Sequence, residues 1–304
     1  MEIGLVGLGK MGYNLALNMN EQGHRVYVLS RSAAKAAEAT EHGLTGKTNP
    51  SELVSLFKKR RVIWLMVPAG QPVDKMIDAF IPLLNEGDIV VDGGNSHYRD
   101  SIRRAEALGK FNLTYADIGI SGGPAGARNG ACMMVGAPVG TYNYLEPLLK
   151  SICLPGGSLR VGENGSGHYV KMVHNGIEYG MMQAIAEGFE LIDRGSFSVD
   201  LAALAKLWNR GSVIRSWLIE LTAKMLTEDP RLEKIEAIAG SSGTGRWTVE
   251  EGLATKVPLP VITEALYARY RSEQEENLAA RIIAGLRREF GGHEVVKSND
   301  QGRC

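Results

Sequence analysis

Residues 2–12 read EIGLVGLGKMG. A short apolar stretch runs into Gly7-Leu8-Gly9-Lys10-Met11-Gly12, and a helical pattern continues through Asn20. This is G-x-G-x-x-G at a strand–turn–helix junction. Gly7 permits the tight turn, Gly9 lets backbone approach a pyrophosphate, and Gly12 allows the helix to pack closely on the strand. Amide groups at the helix start then face the phosphates. An isolated copy of the motif would be only a glycine-rich turn; in this context it predicts the opening of a Rossmann-like α/β domain.

Working outward, residues 25–29 (RVYVL) form a second strand that ends in Ser30-Arg31-Ser32. An NAD site usually places Asp or Glu there for the ribose hydroxyls, yet no acid follows until Glu38. Arg31 is suited to clamp a 2′-phosphate, with both serines as extra donors, which favours NADP. The alternative is an arginine that only stacks on the adenine of NAD. Further strands are expected at 61–67, 88–91, 112–118 and 158–161, with a helix at 72–84. Two of the connecting loops carry polar groups: Asp92-Gly93-Gly94-Asn95-Ser96 and Ser121-Gly122-Gly123-Pro124. Such loops lie at the carboxyl ends of parallel strands, where sheets of this type bind ligands. Asn95 offers a donor and an acceptor to a nicotinamide or a sugar hydroxyl, and free amides at 121–123 suit a carboxylate. The expected division is an α/β domain over 1–165 and an all-α domain over 166–304.

The second domain opens on residues 165–182, GSGHYVKMVHNGIEYGMM. On a helix, Lys171, His174, Asn175 and Glu178 fall at i, i+3, i+4 and i+7 and share one face, with Tyr179 at its edge. A solvated polar stripe is the ordinary meaning of such a face. Here the residues are acid–base types, and several are poor helix formers. Helices are expected at 168–194, 200–209, 216–226 and 259–286, and a polar loop over 227–256. That loop contains Gly240-Ser-Ser-Gly-Thr-Gly-Arg246-Trp247-Thr248, an arginine and hydroxyls that suit an anion as well as they suit a plain loop. Arg269 and Arg271 add positive charge to the last helix.

The 304 residues are 44% hydrophobic and 22% charged, with zero net charge. No basic surface for nucleic acid or anionic membrane is implied. No apolar run approaches the ~18–20 residues of a membrane span, and no secretory leader is recognisable. Three cysteines, Cys132, Cys153 and Cys304, show no metal-site or disulfide spacing, as expected of a reduced, cytoplasmic protein without bound metal.

Five strings together resemble the decarboxylating 6-phosphogluconate dehydrogenase family in its short bacterial form, within the β-hydroxyacid dehydrogenase superfamily. They are GLGKMGYNLALNM (7–19), DGGNSHYRDS (92–101), ISGGPAGARNG (120–130), GHYVKMVHNGIEYGMMQ (167–183) and GTGRWT (243–248). The resemblance implies oxidation and decarboxylation of a phosphosugar acid, 6-phosphogluconate, with NADP or NAD. It implies that Lys171 is the general base and Glu178 the general acid. Asn95, Ser121, Gly122, Gly123, His174 and Asn175 would contact substrate, and Tyr179, Arg246, Thr248 and Arg269 would hold its 6-phosphate. Arg287 and His293 would reach a neighbouring subunit's site, giving a homodimer or homotetramer. Gly7, Leu8, Gly9, Lys10, Met11 and Gly12, Ser30-Arg31-Ser32, Val67-Pro68-Ala69 and Asn95 would face the cofactor. The alternatives are a superfamily member acting on another C6 anion, such as a sulfonate, or on a small β-hydroxyacid, and a nucleotide-binding sensor without catalysis.

Overall fold

The computed structural model describes residues 1–241, 243–275 and 277–296; Cys304 lies outside them. Strand and helix alternate from the start: β1 (Glu2–Val6), α1 (Lys10–Glu21), β2 (Arg25–Leu29), α2 (Ala33–Glu41), β3 (Thr45–Lys47), α3 (Pro50–Val54), β4 (Val62–Leu65), α4 (Gln71–Phe80), β5 (Ile89–Asp92), α5 (Tyr98–Gly109), β6 (Thr114–Ser121), α6 (Gly123–Asn129), β7 (Ala131–Gly136), α7 (Val139–Ile152) and β8 (Cys153–Gly162). Helices follow: α8 (Ser166–Asp193), α9 (Leu201–Trp208), α10 (Trp217–Glu228), α11 (Gly243–Thr255), α12 (Pro260–Ser272) and α13 (Leu278–Gly291).

The strands form one sheet in the order β3-β2-β1-β4-β5-β6-β7-β8. All neighbours run parallel except β6 and β7. The order reverses at β1–β4, the crevice where doubly wound sheets take their ligands. Strands β4 and β5 are buried along their whole length, which is why they read as continuous apolar runs rather than alternating ones. One face of the sheet packs Leu15, Met19, Leu145 and Leu149 against Ile3, Leu5 and Val135. The other packs Val73, Ile77, Phe80 and Leu108 against Val6, Ile63, Leu65 and Val90.

The chain divides into two compact units, Met1–Glu178 with Gly243–Pro258, and Tyr179–Ser242 with Leu259–Cys304. The second unit has its own small core, where Phe189 meets Trp208 edge to face at 5.4 Å above Ala205, Ile219 and Leu226. Asp200 and Ser216 cap α9 and α10 by accepting the Ala203 and Ile219 amides.

Three departures from the expected pattern have physical causes. The glycine-rich segment after 242 is the helix α11 and not a loop. Its Thr244, Gly245, Thr248 and Gly252 are buried, so packing of small residues overrides weak helix propensity. The single helix expected at 259–286 is two, because Asn277 caps a new start by accepting the Ala280 amide at 3.0 Å. Strand β7 inserts antiparallel beside β6, a pairing that periodicity does not reveal.

Candidate active site

The turn after β1 has the shape its glycines predict. Gly7 has φ +101°, and a Cβ there would lie 2.5 Å from the Met66 carbonyl. Gly9 faces open space and caps α1 without a side-chain partner. The first α1 amides and the room in front of them therefore fit a pyrophosphate. Gly9 and Lys10 are exposed, Leu8 is buried and Met11 is half-buried. At the end of β2, the Ser30 hydroxyl accepts the Ser32 amide at 3.2 Å, and the Ser32 hydroxyl caps α2 by accepting the Lys35 amide. Each serine keeps its own proton to donate. Arg31 between them is exposed.

Lys171 is placed by backbone contacts. Asp117, buried in β6, accepts the Gly165 amide at 2.6 Å and the His168 amide at 2.9 Å. It thereby caps the start of α8. Burial pushes the Asp117 carboxyl up, against these hydrogen bonds, which favour its charged form. Two residues further along the strand, Gly119 leaves only enough room for the Lys171 stem. On its far side α8 meets α11: a Cβ at Gly176 would lie 2.6 Å from Thr248 Cγ2. The Thr248 hydroxyl, almost wholly buried, is within reach of the Met172 carbonyl at 2.8 Å and the Thr244 carbonyl at 3.0 Å. Its one proton is spent on backbone.

The polar face of α8 converges as its spacing predicts. The Lys171 ammonium donates to Asn175 Oδ1 at 2.7 Å and lies 3.3 Å from His174 Nδ1. His174 Nε2 is 3.2 Å from the Ser121 hydroxyl at the end of β6, and Nδ1 is 3.8 Å from Glu178 Oε2. Lys171 and Asn175 are buried, whereas His174 and Glu178 are half-exposed. Burial lowers the Lys171 pKa, with Glu178 as the main opposing influence. A cation held by one amide oxygen, with a carboxylate one turn beyond its histidine neighbour, can exchange protons with a bound hydroxyl.

The other expected residues are distributed as follows. Asn95, Pro68 and Ala69 are exposed, and Val67, Gly122 and Gly123 half-buried, at the ends of β4, β5 and β6. On α11, Arg246 pairs with Glu250 at 3.3 Å, while Trp247 meets His97 edge to face at 5.1 Å. In the second unit, the Arg269 guanidinium stacks 3.5 Å from the Tyr179 ring centroid and donates to the Gly240 carbonyl at 3.1 Å. Arg287 on α13 and His293 just beyond it are exposed. The first unit thus brings together Ser121, Lys171, His174, Asn175 and Glu178.

Sequence reading overlooked Asp117 as the cap of α8. A lone acid in the apolar run TYADIGIS was the available signal. It also overlooked Arg104, which looks like any polar residue of an amphipathic helix. Among the described residues, no cluster of three or more His, Cys, Asp or Glu could hold a metal ion, and no helix is long and apolar enough to cross a membrane.

Comparison with known proteins identifies the family. The NAD binding domain of 6-phosphogluconate dehydrogenase matches residues 2–156, and the C-terminal domain of 6-phosphogluconate dehydrogenase matches residues 167–302. A Bacillus subtilis relative with a provisional 6-phosphogluconate dehydrogenase name is 44% identical over 297 residues, 98% of this chain and 100% of the relative. The NAD(+)-dependent, decarboxylating 6-phosphogluconate dehydrogenase of Haloferax volcanii is 43% identical, over 99% of this chain and 100% of its own. Among solved structures, Plasmodium falciparum 6-phosphogluconate dehydrogenase, studied apo, with NADP+ and with 6-phosphogluconate, superposes with TM-score 0.83 at 33% identity. The match covers 99% of this chain and 67% of that one. The chain belongs to the decarboxylating 6-phosphogluconate dehydrogenases, in their short bacterial-length form.

Proposed function

We infer that the α8 face is the catalytic centre of an NAD(P)-dependent oxidative decarboxylation. The substrate is 6-phospho-D-gluconate, and the products are D-ribulose 5-phosphate, carbon dioxide and reduced cofactor. One observation carries the reading: Lys171 is buried, its pKa is lowered by that burial, and it is held by Asn175 at 2.7 Å.

A nicotinamide dinucleotide, held by the 7–12 turn and the loops after β4 and β5, would supply a hydride acceptor for C3 of the substrate. Neutral Lys171 takes the C3 hydroxyl proton, and its lowered pKa makes that form accessible. The oxidised substrate is a β-keto acid, so carbon dioxide leaves readily, and the bonding pair flows toward the C3 oxygen. Protonated Lys171 stabilises that oxygen as charge develops on it. Glu178 then delivers a proton to C1 of the enediol. Asn95, His174 and Asn175 orient hydroxyls, and the 121–123 turn receives the carboxylate. The family resemblance assigns Arg246 to the phosphate end, and assigns Tyr179 and Arg269 of the second unit to it as well; Thr248 contributes by anchoring α11. We assign cofactor binding to the region 1–165, which also lends Asn95 and the 121–123 turn to the substrate, and the remaining substrate contacts and self-association to 166–304.

The Ser30-Arg31-Ser32 turn supports NADP as the preferred cofactor. A 2′-phosphate would find the exposed Arg31, two spare hydroxyl protons and the start of α2. Arg287 and His293 are proposed to complete a neighbouring copy's site in a homodimer or homotetramer. The exposed Ile282, Ile283, Leu286 and Phe290 of α13 support self-association. A cytoplasmic location fits the few cysteines, of which Cys132 and Cys153 are free.

The deciding experiment supplies 6-phosphogluconate with NAD and NADP in parallel and measures carbon dioxide and reduced cofactor. Equal release of both products is expected, faster with NADP. Silence with both cofactors would defeat the reading. Arg31→Ala should lower the NADP-over-NAD preference about 10- to 100-fold, the loss of one charge-assisted contact; an unchanged preference would remove Arg31 from the cofactor site.

A further inference from the structure

We propose that Arg104 is a positioning residue for the nicotinamide half of the cofactor: its buried guanidinium ties the loop after β4 to the loop after β5 and so sets Val67–Ala69 and Asn95.

The side chain of Arg104 is 1% exposed, although it sits on a helix whose other arginines face solvent. Its donors point in three directions. Nε donates to Asp74 at 2.8 Å in the first turn of α4. Nη1 reaches Asp92 Oδ2 at 3.3 Å and the Ser96 hydroxyl at 3.1 Å, at either end of the Asp92–Ser96 loop. Nη2 donates to the Gly70 carbonyl at 3.0 Å, which closes the Val67–Gly70 loop. A guanidinium spreads five N–H donors over three nitrogens and reaches these four acceptors at once, whereas an ammonium has three donors on a single nitrogen.

Asp92 is the shared acceptor. Fully buried, it takes the Gly94 amide at 3.0 Å, the Ser96 hydroxyl at 2.7 Å and the Tyr115 hydroxyl at 3.1 Å, besides Arg104. Donors from the loop, from β6 and from α5 thus converge on one carboxylate. The two loops also touch, since a Cβ at Gly94 would lie 3.0 Å from the Val67 carbonyl. Exposed Asn95 therefore stands on a loop whose neighbours on both sides, Gly94 and Ser96, are pinned.

Sheet order assigns this network to the nicotinamide side. Strands β2, β1, β4, β5 and β6 are successive neighbours. The adenosine half belongs over β2 and the pyrophosphate at the β1 turn. Lys171 packs on Gly119 of β6. A hydride acceptor within reach of a substrate at Lys171 must extend from the β1 turn across β4 and β5, the two strands whose loops Arg104 joins. A buried ion pair contributes little net stability against an apolar equivalent but is costly to break, so this one resists displacement of either loop. That is what a pair of ligand-facing loops requires.

The proposal rests on the NAD(P)-dependent reading above, and it is tested by binding alone. Titrations on the full chain compare NADP with 2′-phospho-ADP-ribose, or NAD with ADP-ribose, whichever pair binds more tightly. The members of each pair differ only by nicotinamide. Arg104→Lys should weaken the dinucleotide about tenfold or more, the loss of charge-assisted bonds, and leave the ADP-ribose ligand within about twofold. At saturating cofactor, kcat should also fall. Equal weakening of both ligands would mean general loosening of the fold, and no weakening of either would mean no role; both overturn the proposal. If Arg104→Lys does not fold, Ser96→Ala, which removes one donor to Asp92, decides by the same titrations with an expected dinucleotide loss of about threefold or more. Wild-type protein that binds dinucleotide but does not oxidise 6-phosphogluconate would refute the assigned reaction and leave this comparison intact.

Discussion

Lys171 shows how surroundings change the acid–base chemistry of one residue. On the helix surface it would be an ordinary ammonium. Burial lowers its pKa, while the Glu178 charge works in the opposite direction. The base form of Lys171 accumulates as pH rises through that lowered pKa, so kcat/KM should rise over the same range. Glu178→Gln removes the opposing anion and lowers the Lys171 pKa further. The acid limb of the kcat/KM profile should therefore move to lower pH, while turnover slows about 100- to 10,000-fold from loss of the proton donor. A limb that moves to higher pH, or turnover at the wild-type rate, would contradict these roles. Lys171→Met should reduce turnover at least ~1000-fold and leave the dinucleotide affinity within about twofold. Near-normal turnover in that variant would remove the general base from the mechanism.

At the scale of elements, the site depends on how closely α8 approaches the sheet and α11. Gly119 on β6 and Gly176 on α8 are small because a neighbour occupies the place of a side chain. Gly119→Ala would push its methyl into the Lys171 stem, which cannot swing away as a chain end can. Overpacking of this kind costs ~1–3 kcal/mol. A lowered melting temperature and a fall in kcat are expected together. A Gly119→Ala protein of wild-type stability and rate would show that α8 does not depend on this contact. The helix α11 is also bound to the α/β unit by more than Thr248. The Tyr98 hydroxyl donates to Glu251 at 2.9 Å, and His97 packs on Trp247. The segment that glycine content marks as a loop is thus a helix anchored at three points, and Arg246 is carried on it.

At the scale of the whole molecule, the chain matches the full length of some relatives and part of others. It spans 64% of the Schizosaccharomyces pombe 6-phosphogluconate dehydrogenase at 41% identity. If Arg287 and His293 serve a neighbouring copy, ending the chain after Gly285 should abolish turnover. The same truncation removes the exposed Leu286 and Phe290 and should shift sedimentation toward monomer. Dinucleotide binding, a property of the first unit, should survive. A truncated protein with full activity would refute the contribution of the tail.

The sequence by itself determined the parts of this protein that are local in the chain. G-x-G-x-x-G between a strand and a helix is a local turn geometry. The convergence of Lys171, His174, Asn175 and Glu178 follows from 3.6 residues per turn, and the caps Asp200 and Ser216 act within three residues. Only the tertiary structure decided what depends on partners distant in sequence. Asp117 became the cap of a helix whose first residues lie about fifty positions later. Thr248 became an anchor because its hydroxyl meets the Met172 carbonyl, 76 positions earlier. Arg104 became a buried fork because two strand ends and α4 bring Asp74, Asp92 and Gly70 around it. In each case the residue type is legible in the sequence, but its task depends on burial and on the direction of its partners, which packing alone determines.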